Sequence, residues 1–466
     1  MTQINELNRY SRQELIKGWD QKKLEESLVT IVGSDVLAQY IVIPLVALGV
    51  GSMRLIDSGV AQRDMFLDFE LRGKSRVKSL EQKLAEINPN VRVNGLNTDL
   101  ISDASQYFLE KSDLVIDATN NPRSKALCLD YCVETNTPLI VTSCMEGFGK
   151  LRNYNDEGRD VVLLFPEFYA HFQDEFISMV LGGIVAEETK KILMKDMEPL
   201  KNPVYYNLLN ADRFTYKING QAKPRELGEF NDKKVLMIGA GALGSFAGLG
   251  LAHLGVGQID IMDFDVVEDT NLNRQILYYD AVGQEKARAL AEKLKNVGRG
   301  FIKTNAIIDK FTPKTKLKLK YDLILDCVDN FVTRAMINEY AAKNKIPLIS
   351  GGTDYRAGQA AVYVPGKTSC MDCQLNIREH AKKAEQRARQ SCVLAPQPSV
   401  IMSNQVIGGL MVNEVKTVLN PAKYGEPVNG VLKYTSDLDF RLGYNPIKKV
   451  CNCYSQRLKI IGGGKK

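Results

Sequence analysis

Two sets of residues in this chain are spaced for chemistry. The first is Gly239-Ala-Gly241-Ala-Leu-Gly244, which follows the apolar run KKVLMIG and opens a helix-like segment, with Asp263 at the end of the next apolar run. Glycines at this spacing let backbone N–H groups approach a phosphate or ribose at a helix N-terminus, and the aspartate is placed to hold ribose hydroxyls. By itself this pattern suits an NAD-dependent oxidoreductase as well as an ATP-using enzyme. The second set is cysteine: Cys370 and Cys373 form a CxxC, and Cys451 and Cys453 a CxC near the C-terminus. Four thiolates in two clusters match a tetrahedral structural Zn²⁺ site, which would tie the C-terminal segment to the domain.

The elements that must position these residues occur twice. VTIVGSDVLAQ from Val29 returns as VLMIGAGALGS from Val235, and LGVGSMRLID from Leu48 returns as LGVGQIDIMD from Leu254. DLVIDATNNPRSK from Asp113 matches DLILDCVDNFVTR from Asp322, and GGIVAEETKKIL from Gly182 matches GGLMVNEVKTVL from Gly408. The chain is therefore read as a tandem duplication, with one α/β domain over 1–220 and a second over 221–466. Within each, short β-rich runs alternate with longer amphipathic segments, which predicts a doubly wound, Rossmann-like parallel sheet covered by helices. The two copies are expected to pack as an internal pseudo-dimer.

With 466 residues, 44% apolar and 25% charged, the composition is that of a folded globular protein of two or three domains. The polar opening MTQINELNRYSRQELIK lacks the features of a secretory signal, and the apolar run from Leu37 to Met53 is broken by Gln39, Pro44 and glycines. A buried helix explains that run better than a membrane span, so a cytoplasmic location is expected. Nine cysteines, an odd number, do not form a disulfide framework, and Cys128, Cys132, Cys144 and Cys327 read as core. The net charge of +6 is dispersed and calls for no nucleic-acid partner. The three histidines, His171, His253 and His380, lie in no matched motif.

The residues after Asp263 narrow the choice. FDVVEDTNLNRQ, GQEKARA, DCVDN, the CxxC and the terminal cysteine pair together resemble the superfamily of ubiquitin-activating enzymes and sulfur-carrier adenylyltransferases. The resemblance covers nearly all of both halves, and the tandem arrangement looks most like the ubiquitin-type enzymes. It implies that the second half binds ATP and Mg²⁺ and adenylates the C-terminal glycine of a small ubiquitin-like protein ending in Gly-Gly. In that pattern Arg274 and Lys286 serve the phosphates with Asn271 near them, Asp329 holds Mg²⁺, and Asn330 lines the nucleotide site. Such a reaction brings two anions together and needs positive charge around them.

By the repeat alignment, the first half has Asp35 for Gly241, Ala38 for Gly244, Asp68 for Arg274 and Asn120 for Asp329. A carboxylate in place of a phosphate repels ATP, so this half is expected to be inactive. It keeps Arg9-Tyr10-Ser11-Arg12-Gln13, and the resemblance assigns Arg12 to reach across into the live site. The resemblance also makes Cys392 the thiol that accepts the activated carboxyl group as a thioester, for passage to a conjugating enzyme. Basic neighbours and a following helix start would lower its pKa. The alternative implied by the same family is a sulfur-carrier adenylyltransferase that leaves the product for thiolation.

Overall fold

In this computed structural model the described residues are 8–62, 71–154, 173–208, 210, 212–214, 226, 228–317, 319–390, 397–437, 441–448 and 450–451. Two sheets of matching topology account for them. The first contains β1 (Leu28–Val32), β2 (Ser52–Ile56), β3 (Arg92–Leu96), β4 (Leu114–Asp117), β5 (Leu139–Met145), β6 (Phe148–Tyr154) and β7 (Val204–Asn207). The second contains β8 (Lys234–Ile238), β9 (Gln258–Met262), β10 (Lys303–Ile307), β11 (Leu323–Asp326), β12 (Leu348–Thr353), β13 (Ala357–Tyr363), β14 (Gly430–Thr435) and β15 (Leu442–Pro446).

The first sheet runs β3-β2-β1-β4-β5-β6-β7, and the second repeats it strand for strand as β10-β9-β8-β11-β12-β13-β14 before adding β15. Five strands of each sheet are parallel, with antiparallel strands after them. The strand order reverses between β1 and β4 and between β8 and β11. A doubly wound sheet opens its binding crevice at that point, beyond the carboxyl ends of the strands. The chain is thus a tandem pair of Rossmann-like α/β domains.

The apolar run expected to be a buried helix is one: Val36–Leu48 is buried along its whole length, Gln39 and Pro44 included. No helix among the described residues is long and apolar enough to cross a membrane.

The halves share a hydrophobic core that passes from Leu37 and Val180 in the first to Phe246 and Val406 in the second. At its centre the helices Glu175–Met194 and Ile401–Leu419 cross at their paired glycines. A Cβ on Gly183 would stand 2.7 Å from Val406, and one on Gly409 would stand 2.7 Å from Val180. Only the absence of side chains permits so close an approach. The same helices carry buried carboxylates that pair reciprocally across the seam. Arg213 of the first half donates to Glu414 at 2.8 Å, and Arg441 of the second donates to Glu188 at 2.8 Å. Glu188 also accepts from Lys191, which donates in turn to the main-chain oxygen of Ser436. The pseudo-dimer is therefore held by a two-fold related set of charges that each half completes for the other.

Candidate active site

Three neighbouring strand ends, those of β8, β9 and β11, converge at the switch point of the second sheet. After β8 the chain turns through Gly239 at φ +99° and enters the helix Ala242–Leu254 with Gly241 at its N-cap. A Cβ on Gly244 would lie 2.1 Å from the Gly239 oxygen, so glycine is required there for the helix to start tight against the turn. At Gly241 a Cβ would meet nothing within 4 Å, which leaves the helix N-terminus open to an anion.

Asp263, just after β9, accepts from the Ala240 N–H at 2.6 Å and from the Asp265 N–H at 2.8 Å. Burial pushes its carboxyl above the usual range, against the pull of those two amides. Behind the loop, the Tyr278 hydroxyl donates to the Ala240 oxygen at 2.6 Å. Lys286 opens the helix Lys286–Val297 and is 8% exposed, with its ammonium 3.1 Å from Asp265.

Arg274 donates to the Thr270 oxygen at 2.7 Å and to Asn273 Oδ1 at 2.8 Å. Burial and the neighbouring Arg12 guanidinium push its pKa down to about 10. Glu268 partly offsets that shift, and the two arginine-bearing segments meet through Asn273 Nδ2, which donates to Gln13 Oε1 at 3.1 Å. Arg12 lies in a run of turns around Tyr10 and Gln13. Its main-chain oxygen accepts from the Ser399 N–H at 3.3 Å.

The other expected residues have more local partners. Asn271 is buried, and its Oδ1 accepts from the Glu268 N–H at 3.2 Å, closing a short turn. Asn330 caps the helix Phe331–Asn344 by accepting from the Thr333 N–H at 2.8 Å. Asp329 is exposed beyond β11, with Asn330 Nδ2 3.4 Å from its Oδ1. A solvent-facing carboxylate at a strand end suits Mg²⁺, which binds through one or two carboxylates plus phosphate oxygens. Beneath it, buried Asp326 pairs with Arg334 at 3.1 Å and anchors the strand end.

The equivalent cleft of the first half is filled by its own side chains. Asp35 stands at the N-cap, accepts from the Val36 N–H at 2.9 Å and lies 3.6 Å from Arg76. The Leu37 N–H donates to Gln173 Oε1 at 2.8 Å, and Gln173 Nε2 donates to the Ala118 oxygen at 2.9 Å. Asn120 exchanges hydrogen bonds with the Cys144 backbone. The amides that would meet a phosphate are already used. Asp68 lies outside the described residues. Gln173 was not visible as a site residue in the sequence, because it reaches the helix from far along the chain.

Cys370, Cys373 and Cys451 place their sulfur atoms within 4.8 Å of one another, and the Cys370 N–H donates to Cys451 Sγ at 3.2 Å. Burial pushes the Cys370 thiol up to about 12, a penalty that a bound cation would reverse. Three converging sulfurs fit a thiolate metal site. Cys453 and Cys392 lie outside the described residues. Cys128, Cys132, Cys144 and Cys327 are buried, as expected. His253 is buried in the glycine-loop helix, His380 stacks on Phe331, and His171 lies outside the described residues.

The sequence model of the ThiF family matches residues 8–227 and again 220–453. Among curated proteins, the molybdopterin-synthase adenylyltransferase of Escherichia coli is 33% identical over 231 residues, 47% of this chain and 87% of that protein. The sulfur carrier protein ThiS adenylyltransferase of Bacillus subtilis is 36% identical over 163 residues, 34% of this chain and 46% of that protein. Among solved structures, Escherichia coli MccB with SeMet MccA aligns at 25% identity and a TM-score of 0.41, covering 48% of this chain and 66% of that one.

Proposed function

This chain belongs to the ThiF family, and on that premise we propose that its second half adenylates the C-terminal glycine of a small Gly-Gly-ending carrier protein. The carrier carboxylate attacks the α-phosphorus of ATP, an O–P bond forms, and pyrophosphate leaves with the electron pair of the broken bond. Gly239, Gly241 and Gly244 bring backbone amides to the nucleotide, and Asp263 orients its ribose. Arg274, Lys286 and Arg12 hold the phosphates and offset the negative charge that gathers as two anions meet. Asn271 and Asn330 support the surrounding turns. Mg²⁺, held by Asp329 and phosphate oxygens, would neutralise part of the same charge.

The observation that carries this reading is the helix N-terminus left open at Gly241, with Asp263 hydrogen-bonded to the turn that precedes it. The first half serves as the donor of Arg12 and has no nucleotide role of its own. Zn²⁺ on Cys370, Cys373, Cys451 and Cys453 would fix the C-terminal segment.

The relatives' names favour a sulfur carrier as the partner over a ubiquitin-like modifier passed to a conjugating enzyme. The test is ATP–pyrophosphate exchange by the full chain, with each small Gly-Gly-ending protein encoded in the same genome. Exchange should require one such protein and ATP together. Exchange with none of them sinks the reading. A reducible covalent adduct with the partner that disappears in Cys392→Ala would move the product to a thioester and restore the modifier reading.

A further inference from the structure

Arg274 is partly buried, and its guanidinium is held by its chain neighbour. Its Nη1 donates to Asn273 Oδ1 at 2.8 Å, and Asn273 itself is fully buried. Both hydrogens of the Asn273 amide are committed as well. Nδ2 donates to Gln13 Oε1 in the first half and to the Ser399 main-chain oxygen, each at 3.1 Å. Gln13 is equally buried, and its own amide donates to Gln21 Oε1 at 2.7 Å and to the Leu48 oxygen at 3.0 Å. The Ser399 N–H closes the ring by donating to the Arg12 oxygen.

The side-chain amides of Asn273 and Gln13 in this relay are fully hydrogen-bonded, and a buried amide network in that state is rigid. It fixes the two arginine-bearing segments, one from each half, to a common point. From this geometry we infer that Asn273 is a positioning residue, which aims the Arg274 guanidinium and registers it against the Arg12 segment through Gln13 and Ser399. An aspartate here could not donate to Gln13 or Ser399, and a leucine could not accept from Arg274, so the amide is the group the position requires.

The inference rests on the adenylation reading, so its test uses Mg·ATP and adenosine as probes and needs no carrier. In the full chain, Asn273→Ala should weaken Mg·ATP binding by roughly tenfold in calorimetric titration, the scale of one lost charge-assisted hydrogen bond. Adenosine, followed by ligand-observed NMR, should bind the variant as it binds the wild type, because it has no phosphate for Arg274 to meet. In an Arg274→Ala background the further loss from Asn273→Ala should fall below about twofold, since the amide acts through that guanidinium. Gln13→Ala, which enters the relay from the other half, should weaken Mg·ATP in the same direction and keeps the test open if Asn273→Ala folds poorly. An equal loss for adenosine, or an undiminished loss in the Arg274→Ala background, would overturn the positioning role. Failure of the wild-type chain to bind either probe would overturn the adenylation reading and this inference with it.

Discussion

Glu188 offers the sharpest test of how the two halves are joined. Its carboxylate accepts from Arg441 Nε at 2.8 Å, Lys191 Nζ at 3.2 Å, the Leu200 N–H at 2.6 Å and Asn153 Nδ2 at 3.0 Å. The Arg441 side chain is 3% exposed and that of Lys191 is fully buried. Glu188→Ala would take from both cations the carboxylate they are hydrogen-bonded to, and breaking a buried pair in this way costs about 3–5 kcal/mol. At roughly 2 cal/mol/K of unfolding entropy per residue, each kcal/mol is worth ~1 °C in a chain this long, so the midpoint should fall by about 3–5 °C. Burial alone would raise the Glu188 pKa, but Lys191 and Arg441 hold it below the usual carboxylate range. Its contribution is therefore complete above the unfolded value near ~4.3 and is lost as pH falls through the lower folded value. Scanning calorimetry at neutral pH and in acid should show a gap between wild type and variant that narrows in acid. Glu414→Ala, which strands Arg213, should give a comparable drop. A midpoint within 1 °C of wild type at neutral pH, or a gap that widens in acid, would refute the account of the seam.

Three further outcomes follow from the site. Arg12→Ala should leave the melting midpoint unchanged, slow pyrophosphate exchange by roughly tenfold or more, and thereby separate charge at the phosphates from folding; normal exchange would leave the first half a structural partner only. Asp329→Ala, at an exposed position, should change stability by less than about 0.5 kcal/mol while cutting exchange by ~100-fold, and unchanged exchange would remove the Mg²⁺ assignment. The purified chain should carry one equivalent of zinc by atomic emission, and Cys370→Ser should lose the metal; a metal-free wild type would end the zinc assignment.

Much of this organisation was legible because the repeat copies whole strand–turn–helix units. Glycines and strand-end aspartates recur at matched places in the two copies, and the apolar run from Leu37, broken by Gln39, Pro44 and glycines, reads as an interior helix. The core cysteines followed from their apolar neighbours in the same way. What escaped detection depends on distant chain segments meeting. Gln173 fills the first cleft only because the helix Glu175–Met194 starts beside the helix Val36–Leu48. Asn273 lies between residues that carry recognisable roles, yet nothing local says that its amide faces Gln13. Asn271 and Asn330 stand in the expected motifs, but their side chains close a turn and cap a helix, which composition cannot distinguish from contact with a nucleotide.

The reciprocal pairs across the seam have a consequence for how activity should scale. In a two-chain assembly, an arginine supplied by the neighbour is lost whenever the subunits separate, so turnover per site falls on dilution. Here Arg12 and Arg274 belong to one polypeptide, and their mutual effective concentration does not depend on how much protein is present. Specific activity should accordingly stay flat as the enzyme is diluted.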